Sequence, residues 1–254
     1  MEPQTRMLQE LPDDVRQTLR AYMADVAKLF GQSMEGVLLY GSAARGEYLP
    51  GRSNLNLVLF LSAYDLAQLG EYAKIHRRWQ KEGIVVPLFL TEGELQSAAD
   101  AFPLECSEIK EAHLLLKGRD PFHNLHINMR NLRTQCELEI RGNLMRLRQR
   151  FVEGGGKPET AAILMPLSLT ALIPAIRGIF RVTGFRVQNA SDATIADLKP
   201  GLDLDPTAFQ EALSLKRGIV SPGPVEMPRM FERYYRALQD LVSKLECLEA
   251  SVRP

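Results

Sequence analysis

From Pro12 to Phe30, apolar side chains recur every three or four residues. Val15, Leu19, Met23, Val26 and Phe30 share one face, a spacing that predicts an amphipathic helix. Pro12 suits a first helical turn, and Gly31 is placed to end it. The pattern then shortens. Gly36-Val-Leu-Leu-Tyr40 is a continuous apolar run of strand length, and it feeds Gly41-Ser-Ala-Ala-Arg-Gly46, which reads as a tight turn and helix start. After the loop Leu49-Pro-Gly-Arg-Ser53, residues Asn54 to Leu61 predict a second strand, apolar on both faces toward its end.

Tyr64 to Lys81 returns to helical spacing, Ile84 to Leu90 is strand-like, and Thr91-Glu-Gly-Glu94 has the form of a capping box opening a short helix. Two short apolar stretches follow, Phe102 to Ile109 and Ala112 to Leu116, before Lys117-Gly-Arg-Asp-Pro121. Roughly the first 125 residues thus alternate strands and helices around a small sheet.

The second half is helical throughout. Leu132, Cys136, Ile140, Leu144, Leu147 and Phe151 fall on one side of a long helix, which Gly154-Gly-Gly-Lys-Pro158 breaks. An apolar helix over Ala161 to Ile176, a capped helix near Asp205-Pro206 and a last one from Pro228 to Val252 complete a bundle. The boundary between halves falls near 126–129, giving domains 1–127 and 128–254.

Composition narrows the class. The 254 residues are 45% hydrophobic and 24% charged, the balance of a folded globular chain. The 31 basic and 31 acidic side chains cancel, so no overall field favours nucleic acid or an anionic membrane. Cys106, Cys136 and Cys247 stand far apart without a Cys-x-x-Cys pair and read as free thiols. The start of the chain lacks a basic segment followed by an apolar run, so a cytoplasmic location is expected. Ala161 to Ile176 is shorter than the ~20 residues needed to cross a bilayer and is expected to be a core helix. Arg177 and Arg181 in its continuation are expected to lie buried beside a carboxylate from another helix. His123 and His126, with Asp120 nearby, read as a polar cluster at the domain junction rather than a metal site. His76 and His113 read as isolated, partly exposed residues.

One constellation carries chemistry. Gly41-Ser42-Ala-Ala-Arg45-Gly46 lies between a strand and a predicted helix start, and Ser53-Asn54-Leu-Asn56-Leu57 opens the next strand. A glycine lets backbone approach phosphate oxygens, while a serine hydroxyl and the adjacent N–H groups can bond to them. This arrangement resembles the Gly-Ser signature of the nucleotidyltransferase superfamily, which includes aminoglycoside nucleotidyltransferases and polymerase-beta-like enzymes. The resemblance implies an α/β (α+β) fold, a mixed sheet with flanking helices, followed by a helical domain.

The resemblance also implies site residues. Gly41, Ser42, Arg45 and Ser53 would hold a nucleoside triphosphate. Asn54 and Asn56 stand where active members carry two aspartates at i and i+2, with a third carboxylate on a neighbouring strand. Ile84 to Leu90 contains no carboxylate, which leaves Glu105 as the candidate, with Glu47 and Asp100 behind it. Amides supply no charge to offset magnesium, so the expected function is a nucleotide-binding or regulatory module with impaired transfer. Two alternatives stand beside it. One is an active enzyme that uses Mg2+ to move a nucleotidyl group from a triphosphate to a small-molecule or protein hydroxyl. The other is an interaction protein with a vestigial cleft and an unidentified protein partner.

Overall fold

The computed structural model describes residues 9–250, with side chains from 9 to 246; the Cys247 side chain and the predicted helix end at Val252 lie outside the described residues. The chain divides into two compact units, Met1–Asn128 and Met129–Pro254.

The first unit is built on a four-stranded mixed sheet among the described residues, in the order β3-β2-β1-β4. Its strands are β1 (Met34–Tyr40), β2 (Asn56–Leu61), β3 (Leu88–Leu90) and β4 (His113–Gly118). β1 runs antiparallel to both β2 and β4, while β3 is parallel to β2. The strand expected over Ile84 to Leu90 is shorter than its apolar pattern suggests, because only Leu88–Leu90 ladders and Ile84 makes an isolated bridge to Leu55.

Alternation along β2 assigns its two faces. Leu55, Leu57, Leu59 and Leu61 join Val37, Leu39 and Leu114 in a core closed by α1 (Asp13–Phe30) and α2 (Leu66–Lys81). Helix α1 contributes Val15, Leu19, Tyr22, Val26 and Phe30; Tyr22 is fully buried, and the expected face residue Met23 is only partly so. Tyr22 takes the inner position because its hydroxyl finds the Tyr72 hydroxyl at 3.0 Å and its ring meets Trp79 edge-on at 5.5 Å. Helix α2 starts at an Asp65–Gln68 capping box and α3 (Glu92–Ala101) at the Thr91–Glu94 box. The apolar stretch from Phe102 forms a further helix, α4 (Pro103–Glu111), with proline in its first turn.

The second unit opens with a helical hairpin, α5 (Met129–Glu153) and α6 (Pro158–Val182), turned at the three glycines 154–156. Helices α7 (Ser191–Ala196) and α8 (Leu198–Leu202) occupy a segment whose short apolar spacing gave no helical signal. α9 (Thr207–Arg217) and α10 (Glu226–Ala250) follow. α6 continues through Pro166 and Pro174 and is long and apolar enough to cross a membrane, with a mean hydropathy of 1.8 over its richest window. That window is 61% buried within the fold.

Several buried polar groups inside this unit have specific partners. Arg177, 3% exposed and buried as expected, donates to the carbonyls of Gln188 and Asn189 and to the Thr194 hydroxyl, so backbone from the segment after α6 helps to meet its charge. Three arginines of α5 are likewise engaged: Arg133 pairs with Glu137, Arg141 with Glu246, and Arg148 reaches the Tyr235 hydroxyl.

Leu57 is fully enclosed between the sheet and its helices. Leu57→Ala is expected to destabilise the first unit by about 2–5 kcal/mol, read as a lower midpoint in chemical denaturation.

Candidate functional site

Register brings three polar residues into one line. Tyr40, the last residue of β1, pairs with Asn56 on β2 and with His113 on β4. Directly opposed residues project from the same face of a sheet, so His113, Tyr40 and Asn56 form a row across three strands. The row lies on the face opposite Leu55 and Leu57.

The turn after β1 closes over one end of this row. Gly41 has φ +80, a conformation that favours glycine, and a Cβ placed there would lie 2.8 Å from Asn56 Nδ2. Glycine is therefore required twice, by the backbone and by the amide facing it. The segment forms a single helical turn, Arg45 N–H to Gly41 O at 3.1 Å, and Glu47 N–H closes on Ser42 O at 2.8 Å. No helix follows, which corrects the expected helix start. The next helix begins only at Leu66, because the chain first makes the Leu49–Ser53 loop. Any anion contact here thus draws on local N–H groups and the Ser42 hydroxyl rather than on a helix terminus.

Arg45 turns inward. Its guanidinium side chain is 4% exposed and pairs at 3.0 Å with Glu108 on α4, whose side chain is 15% exposed. Ser53 is also engaged in folding, accepting the Leu49 N–H at 3.0 Å while its own N–H donates to Leu49 O. Asn54 is exposed and precedes β2; Asn56 is its first residue and half-buried. Strand β3, beside β2, offers Leu88, Phe89 and Leu90. Glu47 lies directly after the turn, while Asp100 is exposed near the end of α3.

Glu105 comes from α4 rather than from a strand, and it is exposed. Its carboxylate nevertheless acts on the row. Burial, and then the negative charge of Glu105, push the Tyr40 phenol up from 10.0 to about 12. The same two causes, in the same order, raise the Cys106 thiol to about 11.

His113 is the functional-face residue that sequence spacing did not single out. Its Nδ1 must donate to the Ile109 carbonyl at 2.8 Å, because a carbonyl oxygen only accepts. Its Nε2 lies 3.1 Å from Asp120 Oδ2, although the angle between them is poor for a hydrogen bond. Asp120 is thus drawn to His113 instead of to His123 and His126, which are exposed. His113 is a partly exposed strand residue, as expected, but it is not isolated: strand pairing carries its ring into the fold, where the side chain is 6% exposed and meets Ile109 and Asp120.

The donor set around the row consists of two amides, a phenol, the exposed Glu105 carboxylate and an imidazole whose nitrogens are taken up by the Ile109 carbonyl and Asp120. It does not fit a pair of divalent ions, which are hard cations that favour carboxylate oxygens. Among the described residues, no three His, Cys, Asp or Glu side chains gather as a metal site.

No protein-family model matches this chain, and no curated protein matches it in sequence. Its architecture is similar to a solved structure of spectinomycin adenyltransferase AAD(9) from Enterococcus faecialis with ATP and spectinomycin, at a TM-score of 0.55 and 11% identity over 88% of this chain and 98% of that one. The chain has the nucleotidyltransferase-like fold, a mixed sheet with flanking helices followed by a helical region.

Two measurements test this geometry. Arg45→Ala strips Glu108 of its buried cation and is expected to cost about 3 kcal/mol of stability in denaturant unfolding. Glu105→Gln is expected to lower the Tyr40 ionisation from about 12 while leaving it above 10.0, followed by ultraviolet pH titration with Tyr40→Phe as the assignment control. A phenol pKa raised by folding adds stability that is complete below pH 10.0 and lost as the pH passes about 12, so Glu105→Gln also narrows that alkaline window.

Proposed function

We propose that this protein binds a nucleoside triphosphate through its nucleotidyltransferase fold and works as a sensing or regulatory module rather than as an efficient transferase. One observation carries the reading: the start of β2 presents amides where metal-dependent transfer needs carboxylates. Asn54 and Asn56 offer carbonyl oxygens without charge, β3 offers three apolar side chains, and Glu105 supplies a carboxylate from a helix. In the bound state of a transferase, divalent ions would neutralise the triphosphate and activate the attacking hydroxyl. This donor set supports no such step.

Amides have an opposite capability. An Asn NH2 group donates two hydrogen bonds, so Asn56 and Asn54 can meet phosphate oxygens directly, which a carboxylate does only through an ion. Ser42 adds a hydroxyl, and Gly41 permits close backbone approach. Arg45 acts as a positioning residue: it ties the turn to α4 through Glu108, which keeps Gly41 and Ser42 in place at the end of β1. The solved neighbour was crystallised with ATP, and this supports a nucleotide as the ligand class.

Calorimetric titration with ATP, GTP, CTP and UTP, with and without Mg2+, tests the reading. Saturable binding that is indifferent to the ion, weakened by Ser42→Ala and by Asn56→Ala, and unaccompanied by pyrophosphate release is the expected result. Binding that requires the ion, or turnover by the native chain, would overturn it. Asn54→Asp combined with Asn56→Asp is expected to make binding depend on Mg2+.

A further inference from the structure

In the helical unit, two rows of side chains face each other across a cavity of about 60 Å3. Asn143, Arg146 and Arg150, spaced i, i+3 and i+7, share one face of α5. Leu164, Leu167 and Ala171 repeat that spacing on α6. One side therefore presents hydrogen-bond donors and positive charge, and the other presents hydrocarbon. The volume corresponds to about four to six waters, the size of an organic ion with a few heavy atoms.

The floor of the cavity is built and directional. Asn143 is 4% exposed and donates one amide hydrogen to the Ser168 carbonyl at 2.9 Å, which fixes the orientation of its amide. Ser168 gives its only hydroxyl hydrogen to Asn143 Oδ1, so the buried Tyr234 hydroxyl must donate to Ser168 Oγ at 2.9 Å. Asn143 has a second amide hydrogen, and among the described residues nothing accepts it. A buried donor without an acceptor is costly, and a ligand oxygen would relieve that cost. At the mouth, Arg146 makes a long contact of 3.3 Å with Glu139, and Arg150 makes no ion pair among the described residues. Leu167 is 54% exposed and open to cover.

We propose that this cavity is a binding site for a small monocarboxylate, with its oxygens on the Asn143 amide and the Arg150 guanidinium and its short alkyl group against Leu164, Leu167 and Ala171. Inorganic phosphate satisfies the donors but sets oxygens against the apolar wall. A neutral amide of the same shape fits the wall but leaves Arg150 without a counter-charge.

The test titrates the full-length protein with isobutyrate, isobutyramide and inorganic phosphate at constant ionic strength, following the Asn143 side-chain amide resonances by NMR. A saturable shift with isobutyrate is expected, with phosphate weaker and isobutyramide inert. Arg150→Ala, a surface change that leaves the core intact, is expected to weaken isobutyrate binding about tenfold or more. Ala171→Leu, which fills the cavity, is expected to abolish it. The proposal is overturned by a linear response to isobutyrate, by an equal response to isobutyramide, by tighter binding of phosphate, or by an Arg150→Ala protein that binds as the native one does.

Discussion

Arg45 carries its charge into the interior because Glu108 meets it there, and the arrangement around the row of polar residues depends on that pair. Two ions removed from water are held only if their geometry returns the cost of desolvation. At 3.0 Å, with little exposure on either side, the pair binds the turn after β1 to the middle of α4. The same helix sends Glu105 toward Tyr40 and offers its Ile109 carbonyl to His113. One short helix thus touches the turn and two of the three strands that contribute to the row. Without the pair, Gly41 and Ser42 would sit on a turn with far less to hold it against the sheet.

Much of this was legible in the chain before any coordinates. β1 and β2 announce themselves as apolar runs flanked by turn residues, and the Gly-Ser turn with its Asn-x-Asn continuation points to the fold that the architecture shows. Local patterns also placed the Thr91 capping box and the glycine break before α6. What remained hidden depends on register and tertiary pairing. Nothing in the spacing of His113 states that it lies beside Tyr40, because strand partners are set by long-range pairing and by a bulge in β4. Arg45 resembles a phosphate ligand in sequence, since its partner is 63 residues away. Glu105 was expected near a strand, and the helical course of the apolar stretch around it follows from Pro103 and tertiary packing more than from a clear period.

The helical unit shows the same division between pattern and partner. α6 has a composition that suits a lipid phase, and in the fold it buries most of that surface against neighbouring helices. Its polar interruptions have specific partners: Ser168 links Asn143 on α5 to Tyr234 on α10, and Arg177 is ringed by carbonyls from the segment that follows. Those hydrogen bonds fix how the helices face one another, a specificity that apolar contact alone supplies poorly.

Gly36 and Gly118 face each other at the far end of the β1–β4 ladder, where a Cβ on Gly118 would lie 1.9 Å from the Glu35 carbonyl oxygen and one on Gly36 would lie 2.5 Å from that of Arg119. They cannot gain a side chain without forcing the backbone apart. Asn54, exposed and outside the ladder, bears no such load. Replacement at that position leaves folding free energy nearly untouched, whereas replacement at the glycines does not. The scaffold therefore tolerates a change of side-chain chemistry at Asn54 far more readily than a change of shape at the glycines.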